Sequence, residues 1–338
     1  MIEIFPDKNH LFLNKEFDHS FNNIYSVAKR KVREFVMNYR NDPSQIERED
    51  YLIQSFKSFF KTHTPLFFQI QIETCSFCND ICSFCPANIH DDTRGKNFMS
   101  PEIFSKIIKD LKALKFNGLV SLFNNNEPLI DKRLESFIAE CKREIPDAKT
   151  AILTNGKLLT FKRFQSLYDA GLDALVIDNY YQKEAVLNGP IKRFVEDFKK
   201  SDFQNKINIS IFLRYQHEIL SSRAGNAPNK KGQNKNLPIE KFCPYPFMQY
   251  NVNYEGMTHL CCNDVYYEGV VGDITKNSIK EIWETKLFDD IRNKLLNRDR
   301  NHGICKGCDA TNGLSGDIIL ENDKIQIPDY MWDNLSNP

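Results

Sequence analysis

Four cysteines, Cys75, Cys78, Cys82 and Cys85, crowd one short stretch, and the last three stand in C-x3-C-x2-C spacing. Thiolates are the ligands that iron–sulfur clusters and zinc both select. Three thiolates on one loop can each hold one iron of a 4Fe–4S cubane. The fourth iron is then open to a small molecule, which can bind there and receive an electron. The same stretch also offers Cys75/Cys78 and Cys82/Cys85 as two C-x2-C knuckles, the usual frame of a structural zinc site. Spacing alone leaves both arrangements open.

Five more cysteines, Cys243, Cys261, Cys262, Cys305 and Cys308, form a second group. Four thiolates closing on one point from three places would complete an iron–sulfur cluster or a zinc site, and here too both stay open. Cys141 stands alone in helical sequence and reads as a buried small hydrophobe. The start, MIEIFPDKNH, lacks the basic end and apolar run of a signal peptide. A cytoplasmic setting is expected, with cysteines serving as metal ligands rather than disulfides.

The elements that must position these groups alternate. Strands are predicted over 66–74, 119–123, 150–154, 174–177 and 207–214, with helices over 101–115, 131–144, 160–170 and 191–200. Ser100 and Pro101 mark the start of the first of those helices. Strict alternation implies parallel strands with crossover helices. The number of units suits a partial (β/α)6 TIM-like barrel better than a full eight-fold one. The candidate groups of the barrel itself fall at the C-terminal ends of predicted strands, where parallel barrels put their active sites.

Around this barrel, at 65–220, four further regions are expected. Residues 1–64 read as a helical N-terminal arm, with helical periodicity over 24–39 and 51–60. Residues 221–240 are rich in Ser, Gly, Asn, Pro and Lys and read as a linker loop. Residues 241–310 carry the second cysteine group, two short strands at 248–252 and 257–261 around a Tyr254-Glu255-Gly256 turn, and a helix over 279–296. Residues 311–338 form a C-terminal tail.

Lys plus Arg and Asp plus Glu both number 45, so the formal net charge is zero. Such a chain has no global attraction to nucleic acid or anionic membrane, and neither is expected as a partner. The short basic run at 229–235 lacks interleaved aromatics and reads as a solvated loop. No apolar stretch approaches the length of a membrane span.

The first cluster resembles the signature of the radical S-adenosylmethionine (SAM) superfamily. The matching residues are Thr74, Cys78-Asn79, Cys82 and Cys85-Pro86, with Phe84 where the family places an aromatic against the adenine. The resemblance implies a 4Fe–4S cluster on Cys78, Cys82 and Cys85, with Cys75 a bystander. Asn125-Asn126-Glu127-Pro128 stands where the family has a Gly-Gly-Glu-Pro-like stretch that holds the SAM ammonium group. Asparagine is the residue after glycine that best tolerates left-handed backbone, so the turn is expected to survive the change. Thr154-Asn155-Gly156 matches the next strand end. Asp178-Asn179 occupies the ribose position, and Arg214 is a candidate for the SAM carboxylate, though read alone it also suits a surface charge.

The second cluster resembles the C-terminal extension called SPASM, or its shorter twitch form. The matching pieces are Cys243-Pro244, Gly256 followed by Cys261, Gly272-Asp273-Ile274, Ile282-Trp283 and Cys305-Lys306-Gly307-Cys308. This implies one auxiliary 4Fe–4S cluster on Cys243, Cys261, Cys305 and Cys308, with Cys261 favoured over Cys262. Ser221-Ser222-Arg223-Ala224-Gly225 is similar to the Ser-x-Arg-Gly-Gly loop of radical SAM aminocyclitol dehydrogenases, whose arginine contacts substrate. The implied activity is reductive cleavage of SAM, hydrogen abstraction from a sugar- or cyclitol-like secondary alcohol, and electron transfer to the auxiliary cluster. An external reductant such as flavodoxin or ferredoxin would start the reaction. A guanidinium stays protonated, so Arg223 is expected to orient the hydroxyl or stabilise an alkoxide rather than act as a base. Modification of a ribosomal peptide, sugar dehydration or epimerisation, and a non-enzymatic scaffold are the competing expectations.

Overall fold

The computed structural model describes residues 2–6, 53–54, 67, 69–183, 186–203, 206–230, 237–310, 319–321 and 324–326. Its frame is a nine-stranded sheet with a run of parallel strands at its centre. Strands β2 (Gln69–Ile72), β3 (Leu119–Ser121), β4 (Lys149–Thr154), β5 (Ala174–Tyr181) and β6 (Asn208–Tyr215) pair parallel in sequence order. Helices α1 (Pro101–Ala113), α2 (Leu134–Glu144), α3 (Phe161–Asp169) and α4 (Gly189–Lys199) cross between them. The alternating pattern expected of a partial barrel is therefore realised.

Local chemistry explains the helices. Ser100 caps α1 by accepting from the Ile103 amide, with a proline in its first turn. Thr160 and Asn188 cap α3 and α4 in the same way. Phe104, Ile107, Ile108 and Leu111 fall on one stripe of α1 and are buried with Ile70, Val120 and Ile152 of the sheet.

Two strands join the barrel from outside the alternating run. Residues 1–64 were expected to be helical, but Ile2–Pro6 form β1, which pairs parallel with β6 from Ile2↔Ile209 to Pro6↔Leu213. A parallel neighbour satisfies the edge of β6 that would otherwise lie open. Ile53 and Gln54 are helical, and the rest of the expected arm helices lie outside the described residues. At the other edge, β7 (Gln249–Val252) pairs parallel with β2, then antiparallel with β8 (Met257–His259), which pairs with β9 (Val270–Asp273). The second cysteine region thus shares the barrel's sheet.

The single helix expected over 279–296 is two. Helix α6 (Ile279–Trp283) ends before Thr285, which turns extended and caps α7 (Lys286–Leu296) through Phe288 N. Among the described residues, the stretch between β6 and β7 holds a 3-10 turn at Pro228–Lys230 and the short α5 (Tyr245–Met248). A pair of strands, β10 (Ile319–Glu321) and β11 (Lys324–Gln326), falls in the C-terminal tail. Among the described residues no helix is long and apolar enough to cross a membrane.

Candidate active site

The C-terminal ends of β2 to β6 open onto a cavity of about 300 Å³. Cys78, Cys82 and Cys85 all line it. Their loop is pinned from two strand ends: Asp80 Oδ1 accepts from Lys157 Nζ and from Gln216 Nε2, each at 2.7 Å. Asn88 braces the far side, donating to the Cys85 carbonyl at 2.6 Å. Cys75 turns away from the cavity. It is fully buried, with its Sγ 3.4 Å from Asn126 Nδ2 and 3.7 Å from the Glu127 carbonyl.

The three loop thiols suit a metal cluster. Burial pushes the thiols of Cys78 and Cys82 far above their ordinary range, and the carboxylates nearby push the same way. Such groups ionise only beside added positive charge, which the irons of a bound cluster supply. Asn155 Nδ2 bonds Asn79 Oδ1 at 2.7 Å and lies 3.8 Å from Cys78 Sγ, so the end of β4 is tied to the cluster loop.

A second group stands on the ends of β5 and β6. Tyr180 and Arg214 are cross-strand partners. Arg214 pairs with Asp178 at 3.4 Å and with Glu218 at 2.5 Å, and only 14% of its side chain is exposed, which rules out a free surface charge. Its guanidinium lies 5.8 Å from the Phe84 ring and 6.0 Å from the Tyr180 ring. Tyr180 was not anticipated, although it follows Asp178 by two residues and so shares its face of the strand.

Glu127 lines the cavity, yet its carboxylate is largely engaged. It accepts from Thr154 Oγ1 at 2.6 Å, Asn155 N at 2.8 Å and Leu129 N at 3.0 Å. Burial lifts it to about 7 against the pull of those donors. Its geometry is that of a brace between β3 and β4. Among the described residues, positive φ outside glycine occurs at Lys115, Arg223, Ala224, Tyr267 and Arg298, so neither Asn125 nor Asn126 is left-handed. The expectation of a left-handed turn there is corrected. Asn126 instead folds back on its own turn, accepting from Asn124 N and donating to Cys75.

Arg223 reaches the same cavity from the far side. Its Nη1 donates to Asn263 Oδ1 at 3.4 Å and its Nη2 to Asn125 Oδ1, while its Nε is buried without a partner. The loop that carries it is far from a free linker. Ser222 N donates to Asp309 Oδ1 and Ser222 Oγ to the Gly307 carbonyl at 2.8 Å.

Directly behind that loop, Cys243, Cys261, Cys305 and Cys308 line one small pocket with Ala224 and Arg300. Burial pushes Cys243 up to about 12 and raises Cys305 and Cys308 as well. Four thiols lining one pocket suit a fully cysteine-ligated cluster. Cys261 faces this pocket, while its neighbour Cys262 lines the main cavity beside Arg223.

Three further residues gave no signal in the sequence. Buried Arg94 donates to Glu73 Oε1 at 2.9 Å, to Tyr267 OH at 2.8 Å and to the Asn125 carbonyl at 2.7 Å, and Tyr267 OH donates in turn to Glu73. These groups come from the ends of β2 and β3, the loop after the first cysteine group and the auxiliary region, which are joined only by the fold.

Residues 72–178 match the radical SAM superfamily, and residues 243–309 match an iron–sulfur cluster-binding domain, SPASM. The chain is a radical SAM enzyme with a C-terminal SPASM domain, and its cofactors are iron–sulfur clusters of the 4Fe–4S type and SAM. It is similar to the S-adenosyl-L-methionine-dependent 2-deoxy-scyllo-inosamine dehydrogenase of Niallia circulans, at 28% identity over 244 residues, covering 72% of this chain and 93% of that one. Its fold superposes on the crystal structure of BtrN in complex with AdoMet and 2-DOIA, with a TM-score of 0.62 and 25% identity over 73% of this chain and 95% of that one. The open conformation of BtrN aligns with a TM-score of 0.54 at the same identity, over 75% of this chain and 96% of that one.

Proposed function

We propose that this enzyme oxidises a secondary alcohol of a sugar- or cyclitol-like small molecule to a ketone. Cys78, Cys82 and Cys85 would hold one cluster, which with bound SAM would supply radical hydrogen abstraction from carbon, and Cys243, Cys261, Cys305 and Cys308 would hold a second, which would supply an outlet for the second electron. Phe84, Asp178 and Arg214 line one wall of the cavity, where Phe84 would hold the adenine and Asp178 the ribose hydroxyls, with Arg214 completing that wall. The ends of β3 and β4, with Asn125, Asn126, Glu127 and Asn155, frame the methionine side.

Arg223 holds the substrate hydroxyl and stabilises its oxygen as the proton passes to solvent. A guanidinium stays charged, so Arg223 is not the base. The observation that carries this reading is the placement of Arg223: it lines the cavity with the first cysteine group, its terminal nitrogens held by Asn263 and Asn125. Similarity to a 2-deoxy-scyllo-inosamine dehydrogenase over most of both chains supports the same class of substrate. A ferredoxin- or flavodoxin-type protein provides the initiating electron.

The test is 2-deoxy-scyllo-inosamine deuterated at its carbinol carbons, given to the cluster-loaded enzyme with SAM and dithionite. Deuterium should appear in 5′-deoxyadenosine, together with a ketone product. Formation of unlabelled 5′-deoxyadenosine with no carbonyl product would overturn the reading.

A further inference from the structure

We infer that Asn125 is the positioning residue that sets the Arg223 guanidinium in the cavity. The inference builds on the substrate-holding role proposed for Arg223. Asn125 stands where the family pattern has glycine, yet its backbone is not left-handed, so its place is not explained by the need for a permissive turn. Its side chain explains it. Oδ1 accepts from Arg223 Nη2, and Nδ2 donates to the Cys262 carbonyl at 3.3 Å.

The same residue is held from behind. Its carbonyl accepts from Arg94 at 2.7 Å, and Arg94 is locked by Glu73, Asp92 and Tyr267. Asn125 is only 2% exposed. One side chain therefore joins the SAM-side strand end, the loop arginine and the chain beside the auxiliary-cluster ligand Cys261. An amide fits this task because it accepts and donates at once. Asn263 holds the other terminal nitrogen of Arg223, which leaves Nε without a protein partner.

Arg223 sits on left-handed backbone, as does Ala224. A long side chain on such a loop has several rotamers open to it, and a fixed acceptor selects one. Glycine at 125 would remove that acceptor and leave the loop itself in place. Aspartate would keep the acceptor, now charged, opposite Arg223, while replacing the donation to Cys262 by an oxygen facing its carbonyl.

The test needs no substrate. Cluster-loaded protein, without SAM, is treated anaerobically with phenylglyoxal, which reacts with accessible guanidinium groups, and labelling is followed by peptide mass spectrometry. Asn125→Gly should label Arg223 about tenfold faster than wild type, the factor set by losing one hydrogen bond to a charged group. Asn125→Asp should restore the wild-type rate, and Arg214 should label equally in all three proteins. An unchanged rate in the glycine variant overturns the assignment. So does an aspartate variant no better protected than glycine, or a parallel rise at Arg214, which would mean general loosening. Failure of deuterium transfer in the wild type, with this labelling pattern intact, would count against the dehydrogenase reading alone.

Discussion

Gly307 lies directly against Ala224: a Cβ at Gly307 would sit 2.6 Å from the Ala224 carbonyl oxygen and 3.1 Å from its carbon. The knuckle between Cys305 and Cys308 is thus the floor beneath the Arg223 loop. Backbone rather than a flexible side chain is in the way, so the loop itself must shift if a methyl group is added. Gly307→Ala is expected to lower alcohol oxidation by about tenfold to a hundredfold, the equivalent of the 1–3 kcal/mol that overpacking costs. SAM binding at the first cluster should be unaffected. Lys306→Ala, beside it, should leave turnover unchanged. Steady-state rates and SAM titration of the two variants make the comparison, and equal rates would remove the knuckle from any role in holding Arg223.

The paired cysteines at 261 and 262 face different chambers. Cys261→Ser should therefore cost the auxiliary cluster and lower iron content by about half, from two cubanes to one. Cys262→Ser should retain full iron content. Anaerobic iron and sulfide analysis with Mössbauer spectroscopy distinguishes the two. Retained iron in the first variant and lost iron in the second would reverse the ligand assignment.

These contrasts also mark what a sequence can and cannot express. The spacing of Cys78, Cys82 and Cys85 and the alternation of strands with helices are local, so both were readable. The same holds for the Ser100 cap, which needs only its own next three residues. Pairing of Ile2 with Ile209, or of Gln69 with Gln249, is set by the closure of the sheet and leaves no local trace. The Glu73–Arg94–Tyr267 network was invisible for the same reason. The break at Thr285 was legible in principle, since threonine favours a cap over a helix interior, but the apolar periodicity runs on through it. At Asn125 the residue type was informative and its cause was not: the side chain, rather than a permissive backbone, is what the fold uses.

Cys75 offers a check on the ligand set of the first cluster. Its thiol is buried against Asn126 and the Glu127 carbonyl, and burial pushes it up to about 12. Cys75→Ala should keep the full cluster and its reactivity with SAM. It should lower stability by about 1 kcal/mol, the usual cost of a small core truncation. Iron analysis and thermal unfolding under anaerobic conditions test both halves. Loss of the cluster in this variant would support the zinc-like arrangement of two C-x2-C knuckles instead.

Glu127 is a stringent test of how the two strand ends are joined. Its Oε1 accepts from Thr154 Oγ1 and Leu129 N, and its Oε2 accepts from Asn155 N. Glutamine keeps the shape but carries one oxygen only. Whichever way its amide is turned, an NH2 faces a backbone N–H of Leu129 or Asn155, and that donor loses its acceptor. Glu127→Gln is expected to cost about 1–3 kcal/mol, the penalty for an unpaired buried group. Because Asn155 touches both Asn79 and Cys78, the disturbance should pass to the cluster loop and weaken SAM binding. Thermal unfolding reads the first effect, and SAM titration followed by the cluster's EPR signal reads the second. A glutamine variant that matches wild type in both would mean that the carboxylate does not brace β3 to β4. A variant that loses SAM binding at full stability would mean that it meets SAM directly.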